Sequence, residues 1–168
     1  MSLLKISDLS VSLPIGDRMV PILEGIDLEL DRGEVLGIAG ESGSGKTMTA
    51  MAVMGLLPKE AEVRGSIRYE GRELIGLGER EFGAVRGNDI AMVFQDPLSS
   101  LHPMLTVEGQ LTDHLRKHQR VSRKAARARA LELLGLVRLP NPERTLRAYP
   151  HQLSGGQRQR VAIATALA

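Results

Sequence analysis

Cysteine and tryptophan are absent from the 168 residues, and the aromatics are only Tyr69, Phe82, Phe94 and Tyr149. Without a thiol the chain can form no disulfide, no thiolate zinc site and no Cys-ligated iron–sulfur cluster, a pattern that fits a cytosolic setting. The core therefore has to be assembled from Leu, Val, Ile, Met and Ala. Long hydrophobic runs are lacking too: the near-unbroken apolar stretch 50–57 is far short of the ~20 residues of a membrane span. Residues 1–7 show no basic segment leading into an apolar core, so no signal peptide is expected. A net charge of +2 is too small to argue by itself for nucleic acid or anionic lipid. Work at a membrane would have to run through a partner.

What is present is ordinary in bulk, with 42% apolar and 25% charged residues and a length that suits one domain with a real core. The informative stretch is Gly40, Glu41, Ser42, Gly43, Ser44, Gly45, Lys46 and Thr47. It follows the apolar run 35–39, expected to be a buried strand, and precedes a helical pattern from Met48 to Leu57. Glycines let such a loop curl its N–H groups inward, and the following helix turns its positive end to the same point. Lys46 adds a charge that can reach β- and γ-phosphates, and the Thr47 hydroxyl is placed to ligand Mg²⁺. Chance alone would produce this spacing in roughly 0.5% of chains of this size.

Along the rest of the chain, alternation at Leu4, Ile6, Leu9, Val11 and Leu13 and again at Ile26, Leu28 and Leu30 predicts two half-buried strands around a turn at 14–17. A second turn at 31–34 leads into the run before the loop. The helix after the loop is expected to stop at Pro58. Residues 63–72 read as an antiparallel addition at the sheet edge, and 90–94 as a short strand entering a loop at Gln95, Asp96 and Pro97. From Thr106 to Val137 the pattern is helical, as two helices, with Ser122 an N-cap and Gly135 the C-terminal stop. Residues 116–129 hold seven Lys or Arg and no acid, either a solvated helix face or a surface for nucleic acid, an acidic partner or lipid headgroups. His114 and His118 are four apart but have no third ligand nearby, which favours a surface pair over a metal site. A Pro-containing connector, 140–150, leads to Leu153, Ser154, Gly155, Gly156 and Gln157 and a last helix with Ser154 as N-cap. Two glycines just inside a helix form it poorly, and an anion close to the backbone would explain them.

A phosphate loop, then Gln95 after a short apolar run, then Ser154, Gly155, Gly156 and Gln157 before a helix, together resemble the ATP-binding subunit of ABC transporters. The match spans essentially the whole chain, and its five-residue signature alone would arise in roughly 2 of 10,000 such chains. Val93, Phe94, Gln95, Asp96 and Pro97, then Ser99, Ser100, Leu101, His102 and Pro103, and Tyr149, Pro150, His151, Gln152 and Leu153, look most like the importer branch for dipeptides, oligopeptides and nickel.

The resemblance implies an α/β P-loop NTPase fold with an N-terminal antiparallel β part and a helical subdomain. It divides the chain into a β-rich part with the loop (1–97), a helical part (98–150) and the signature with its helix (151–168). By the same resemblance, residues 40–47 hold ATP and Mg²⁺, Gln95 completes the metal and water shell, and the segment up to Val137 meets a membrane-spanning permease. Residues 154–157 would face an ATP held by a second ATP-binding subunit, head to tail, on the cytoplasmic face of the membrane. A solute-binding protein would be only an indirect partner.

Two departures stand against the family pattern. Leu13 occupies the place of an aromatic that stacks on adenine in related subunits, so ATP and GTP are expected to bind with similar affinity. The family also places an apolar strand ending in Asp-Glu, and later a histidine switch, after the signature helix. No apolar run leading into Asp-Glu occurs in these residues. The sequence reads as a domain cut short, expected to bind nucleotide weakly and to hydrolyse it negligibly, since losing a general base costs about 10²–10⁴ in rate. Two further readings are a scaffold module that occupies partners without turnover, and a soluble ATPase acting on nucleic acid or ribosomes, for which 116–129 is the sole support.

Overall fold

The structure, a computed structural model, describes residues 2–96, 100–119 and 121–168, and the side chains of all of these but His118 and Gln119. Pro97 and Ser99 of the quoted motifs and the imidazole of His118 therefore lie outside the described residues. The chain folds as two compact units, Met1–Val85 and Arg86–Ala168.

In the first unit, strands β1 (Leu4–Ile15) and β2 (Arg18–Leu30) form an antiparallel hairpin, and β3 (Glu62–Tyr69) and β4 (Arg72–Glu73) extend it in the order β2-β1-β3-β4. Alternation puts Ile6, Val11, Leu23 and Ile67 in the core, as the pleat requires. Leu9 is buried three residues after Ile6, out of phase with a period of two, because both ladders shift register there and Asp8 takes φ +47°. Gly65 lies across this bulge, where a Cβ would come within 2.3 Å of the Asp8 carbonyl oxygen. Pro14 sits inside β1 but beyond the reach of β3, which pairs with residues 4–12, so its missing N–H breaks no bond to β3.

Helix α1 (Lys46–Val53) ends earlier than Pro58 would impose. Gly55, at φ +59°, stops it: its N–H donates to the Ala52 carbonyl and that of Leu56 to the Met51 carbonyl. This left-handed exit satisfies the last carbonyls. A Cβ on Gly55 would also meet the Phe82 ring of α2 (Glu79–Val85) at 2.6 Å, so that ring excludes other residues there.

The two apolar runs expected as strands are not strands. Residues 35–39 pair with no other segment among the described residues, and Val35, Leu36 and Ile38 are 95%, 42% and 53% exposed. At 90–94 only a single bridge joins Ile90 to Arg86, and Val93 is exposed. Composition confers strand propensity, but a strand exists only where a ladder partner is supplied.

The second unit is helical: α3 (Val107–Gln119), α4 (Arg123–Leu136), α5 (Pro142–Arg147), a 3₁₀ turn (Pro150–Gln152) and α6 (Gly155–Ala166). Val107, Leu111 and Leu115 of α3 face Ala126, Ala130, Leu133 and Leu134 of α4, and Leu146, Leu153, Val161 and Ala164 complete the core. The spacing of three and four residues makes each set one stripe, and the alanines let the helices approach closely. Ser122 caps α4 as expected, its Oγ accepting from the Ala125 N–H at 3.2 Å. Gly135 does not end that helix. The left-handed exit falls three residues later on Arg138, at φ +54°, with Leu139 N–H donating to the Leu134 carbonyl at 3.1 Å. The connector 140–150 is likewise not irregular, since it contains α5, a helix too short to show periodicity, anchored by the fully buried Leu146.

Candidate nucleotide-binding site

Residues 40–47 form a turn that wraps the amino group of Lys46. Its Nζ donates to the carbonyls of Gly40 at 2.8 Å and Glu41 at 2.7 Å and to Ser44 Oγ at 3.2 Å. The Ser44 N–H closes the turn on the Glu41 carbonyl at 3.2 Å. Gly43 and Gly45 both adopt φ +86°, which a side chain resists. Gly45 is constrained a second way, because a Cβ there would sit 2.3 Å from Leu23 Cδ2 of β2. That close approach seats the loop on the sheet. At Gly40 a Cβ would lie 2.7 Å from Ser44 Oγ, so the entrance of the loop is as tight as its exit.

Gly45 is also the N-cap of α1, and no side chain caps this helix and no acid lies in its first turn. The other two long helices with a described cap, α4 and α6, are closed by serines. The first N–H groups of α1 are thus left for an exogenous acceptor, beside a lysine with no carboxylate partner among the described residues. Thr47, the second residue of the helix, is exposed, with its hydroxyl open to solvent. An oxyanion with a bound hard cation fits this donor set.

The signature residues occupy the start of α6. Ser154 Oγ accepts from the Gln157 N–H at 3.3 Å, and Gln157 Oε1 accepts from the Ser154 N–H at 2.9 Å. This reciprocal capping box holds the helix start in spite of two glycines. The Gln157 half of it was missed in the sequence, although Ser and Gln three apart announce it. Gly155 and Gly156 are exposed, and a Cβ on either would meet nothing within 4 Å. Among the described residues no neighbour requires a glycine at either position. Gln95 is exposed in a bend outside any regular element. The loop lies in the first unit, and Gln95 and the signature in the second.

Of the basic residues, Arg127 bridges Glu108 at 3.4 Å and Glu143 at 2.5 Å, and Arg129 pairs with Glu132 at 3.1 Å. The hydrogen bond and charge of Glu143 hold the Arg127 guanidinium above its ordinary pKa. Arg116, Lys117, Arg123 and Lys124 remain exposed. Leu13 is half-buried in β1 opposite Val20.

The family described as ABC transporter matches residues 23–168. The oligopeptide transport ATP-binding protein OppD of Mycobacterium tuberculosis is 50% identical over 167 residues, covering 99% of this chain and 27% of that protein. OppD of Bacillus subtilis is 47% identical over 168 residues, covering 99% of this chain and 47% of the relative. The dipeptide transport ATP-binding protein DppD of the same organism is 44% identical and covers 98% and 50%. The chain thus spans about a quarter to a half of the length of these relatives. Among solved structures, the dimeric ATP-binding cassette MJ0796 bound to ADP and Pi superposes with a TM-score of 0.84 at 30% identity, over 98% of this chain and 68% of that one.

Proposed function

The chain belongs to the ABC transporter family, and on that premise we propose that it forms the nucleotide-binding part of a subunit that couples ATP binding and hydrolysis to import of peptides or a similar small solute. The observation that carries this is the wrapped Lys46 beside an uncapped helix start, a ready receptor for phosphates. The names of the relatives, oligopeptide and dipeptide transport proteins, support the class of solute. In this reading residues 40–47 hold the phosphates of ATP, Lys46 neutralises the β- and γ-phosphates, and Thr47 and Gln95 bind Mg²⁺. Ser154, Gly155, Gly156 and Gln157 close on the ATP of a second, similar subunit, and the dimeric state of the MJ0796 cassette supports that arrangement. Phosphoryl transfer depends mainly on positioning and charge stabilisation, so a site divided between subunits ties hydrolysis to closure. Closure then drives a membrane-spanning permease. In this reading the chain sits at the cytoplasmic face through that partner, and no described helix is long and apolar enough to cross a membrane.

Titration with ATP and Mg²⁺ tests the reading. The 168-residue chain should bind ATP, Lys46→Ala should weaken binding at least tenfold, and GTP should bind within tenfold of ATP because Leu13 offers no ring to stack on. Equal affinity of the wild-type and Lys46→Ala chains would remove the site.

A second reading is favoured by one specific observation, the lack of any apolar run leading into Asp-Glu in these residues. In this reading the 168-residue chain, lacking that run, binds nucleotide without appreciable turnover. A rate above about 1 s⁻¹ that Lys46→Ala abolishes would refute this, given a loss of about 10²–10⁴ for a missing general base.

A further inference from the structure

The second unit contains an open cavity of about 480 Å³, within the volume range of small-molecule sites, bordered by α5, the 3₁₀ turn and the start of α6. Its lining includes Asn141, Arg144, Arg147, Gln152 and Gln157 and no Asp or Glu. Arg144 and Arg147 are three apart on α5, a spacing that places both on one helix face, while Thr145 and Leu146 are buried. Neither guanidinium has an ion-pair partner among the described residues. The contrast with their neighbours is informative: Arg127 and Arg129 are ion-paired, and Arg160 donates to the Val137 and Arg138 carbonyls. Glu143, the acid nearest in sequence, is held by Arg127.

The two glutamines add to the same sign. Gln152 Oε1 accepts from the Tyr149 N–H at 2.9 Å and Gln157 Oε1 from the Ser154 N–H at 2.9 Å. Both side-chain carbonyls are therefore engaged by the backbone, and each amide keeps its NH₂ group as a donor. Two guanidinium forks and two amide donors without a carboxylate make a cavity that offers hydrogen-bond donors and positive charge. The planar fork of arginine matches phosphate oxygens bidentately.

We propose that this cavity is a binding site for an oligophosphate chain, separate from the loop at 40–47, with Arg144 and Arg147 as its charge-bearing ligands. The inference goes beyond the transport reading and does not depend on the first unit. The phosphate chain could come from free oligophosphate or from the tail of a nucleotide, and two ligands distinguish these sources.

The test is calorimetric titration of the Lys46→Ala chain, in which the loop site is disabled, with tripolyphosphate and, separately, with ATP. One site per chain is expected for tripolyphosphate, weakened at least tenfold in the Arg144→Gln/Arg147→Gln double variant and weakened by added salt. Both arginines are exposed, so the double variant should keep its helical circular dichroism. Arg144→Lys/Arg147→Lys, which keeps the charge without the fork, should recover part of the affinity. Comparable binding of tripolyphosphate and ATP would identify free oligophosphate as sufficient. Binding of ATP at least tenfold tighter than tripolyphosphate, still lost in the double glutamine variant, would identify the nucleotide tail. Absence of binding to the Lys46→Ala chain, or equal binding by a folded double glutamine variant, overturns the proposal. Neither result bears on ATP binding by wild-type Lys46, which is read in its own titration.

Discussion

Gly45 carries two constraints at once, a left-handed backbone at φ +86° and a Leu23 methyl 2.3 Å from where its Cβ would lie. Gly45→Ala should therefore destabilise the first unit by about 1–3 kcal/mol in chemical denaturation, the range for strained backbone. Truncating Leu23 to Ala in the same chain would relieve only the steric share. Glu73 is the carboxylate most engaged in the fold. Partial burial by itself would raise its pKa, but Ser66 Oγ at 2.5 Å, the Ile67 and Ile75 amides and Arg68 together hold it below the ordinary value of 4.5. A carboxylate depressed on folding contributes stability above its unfolded pKa and loses that contribution as pH falls through the folded one. Glu73→Gln should accordingly lower stability at pH 7 and flatten the loss seen below about pH 4.5. Denaturation midpoints at pH 7, 5 and 3 would show it, and parallel losses in both chains would count against this role.

At the scale of elements, the end of α4 and the start of α6 are joined by one side chain. Arg160 of α6 donates to the carbonyls of Val137 at 3.3 Å and Arg138 at 2.7 Å, the two residues that follow the last turn of α4. Removing it as Arg160→Met should cost about 0.5–1.5 kcal/mol, the net scale of a hydrogen bond at an exposed site. Arg138→Gly should act in the opposite direction. Its backbone carbonyl is the acceptor, so the contact survives, while relief of φ +54° should stabilise by about 0.5–1 kcal/mol. Thermal unfolding of both variants checks the pair, and a destabilised Arg138→Gly would mean that the arginine side chain itself matters. This exit also explains why Gly135 misled the sequence reading: glycine is the favoured residue for a left-handed exit, yet the cores of α3 and α4 keep the helix going until Leu134 and Leu139 can pack. By contrast Ser122 and Ser154 were legible because an N-cap is decided within three residues.

For the whole molecule, the exposed runs 35–39 and 90–94 set solution behaviour. Val35, Leu36 and Ile38 in the first run and Val93 in the second are exposed, and apolar surface of this kind favours association with other chains. Val35→Thr/Ile38→Thr should increase the monomer fraction in size-exclusion chromatography. It should change stability by no more than about 0.5 kcal/mol, because neither side chain is packed. A large loss of stability would instead mean that the run is buried in solution.

The glycine-rich loop 40–47, the hairpin 4–30, the caps at Ser122 and Ser154 and the helical character of 107–136 were determined by the sequence itself. Each rests on chemistry acting over a few residues: glycine torsions, an orphan N–H answered by a near hydroxyl, an alternating or helical apolar stripe. The tertiary structure alone decided the rest. The helix stop at Gly55 is fixed by the Phe82 ring, the second constraint on Gly45 comes from Leu23, and the bulge at Asp8 is matched by Gly65 across the ladder. Whether 35–39 forms a strand depends on a ladder partner, and the donor-lined cavity exists only because α5 and the glutamine caps fold against one another. These depend on residues distant in sequence meeting in space, and local pattern carries no record of which partner will be there.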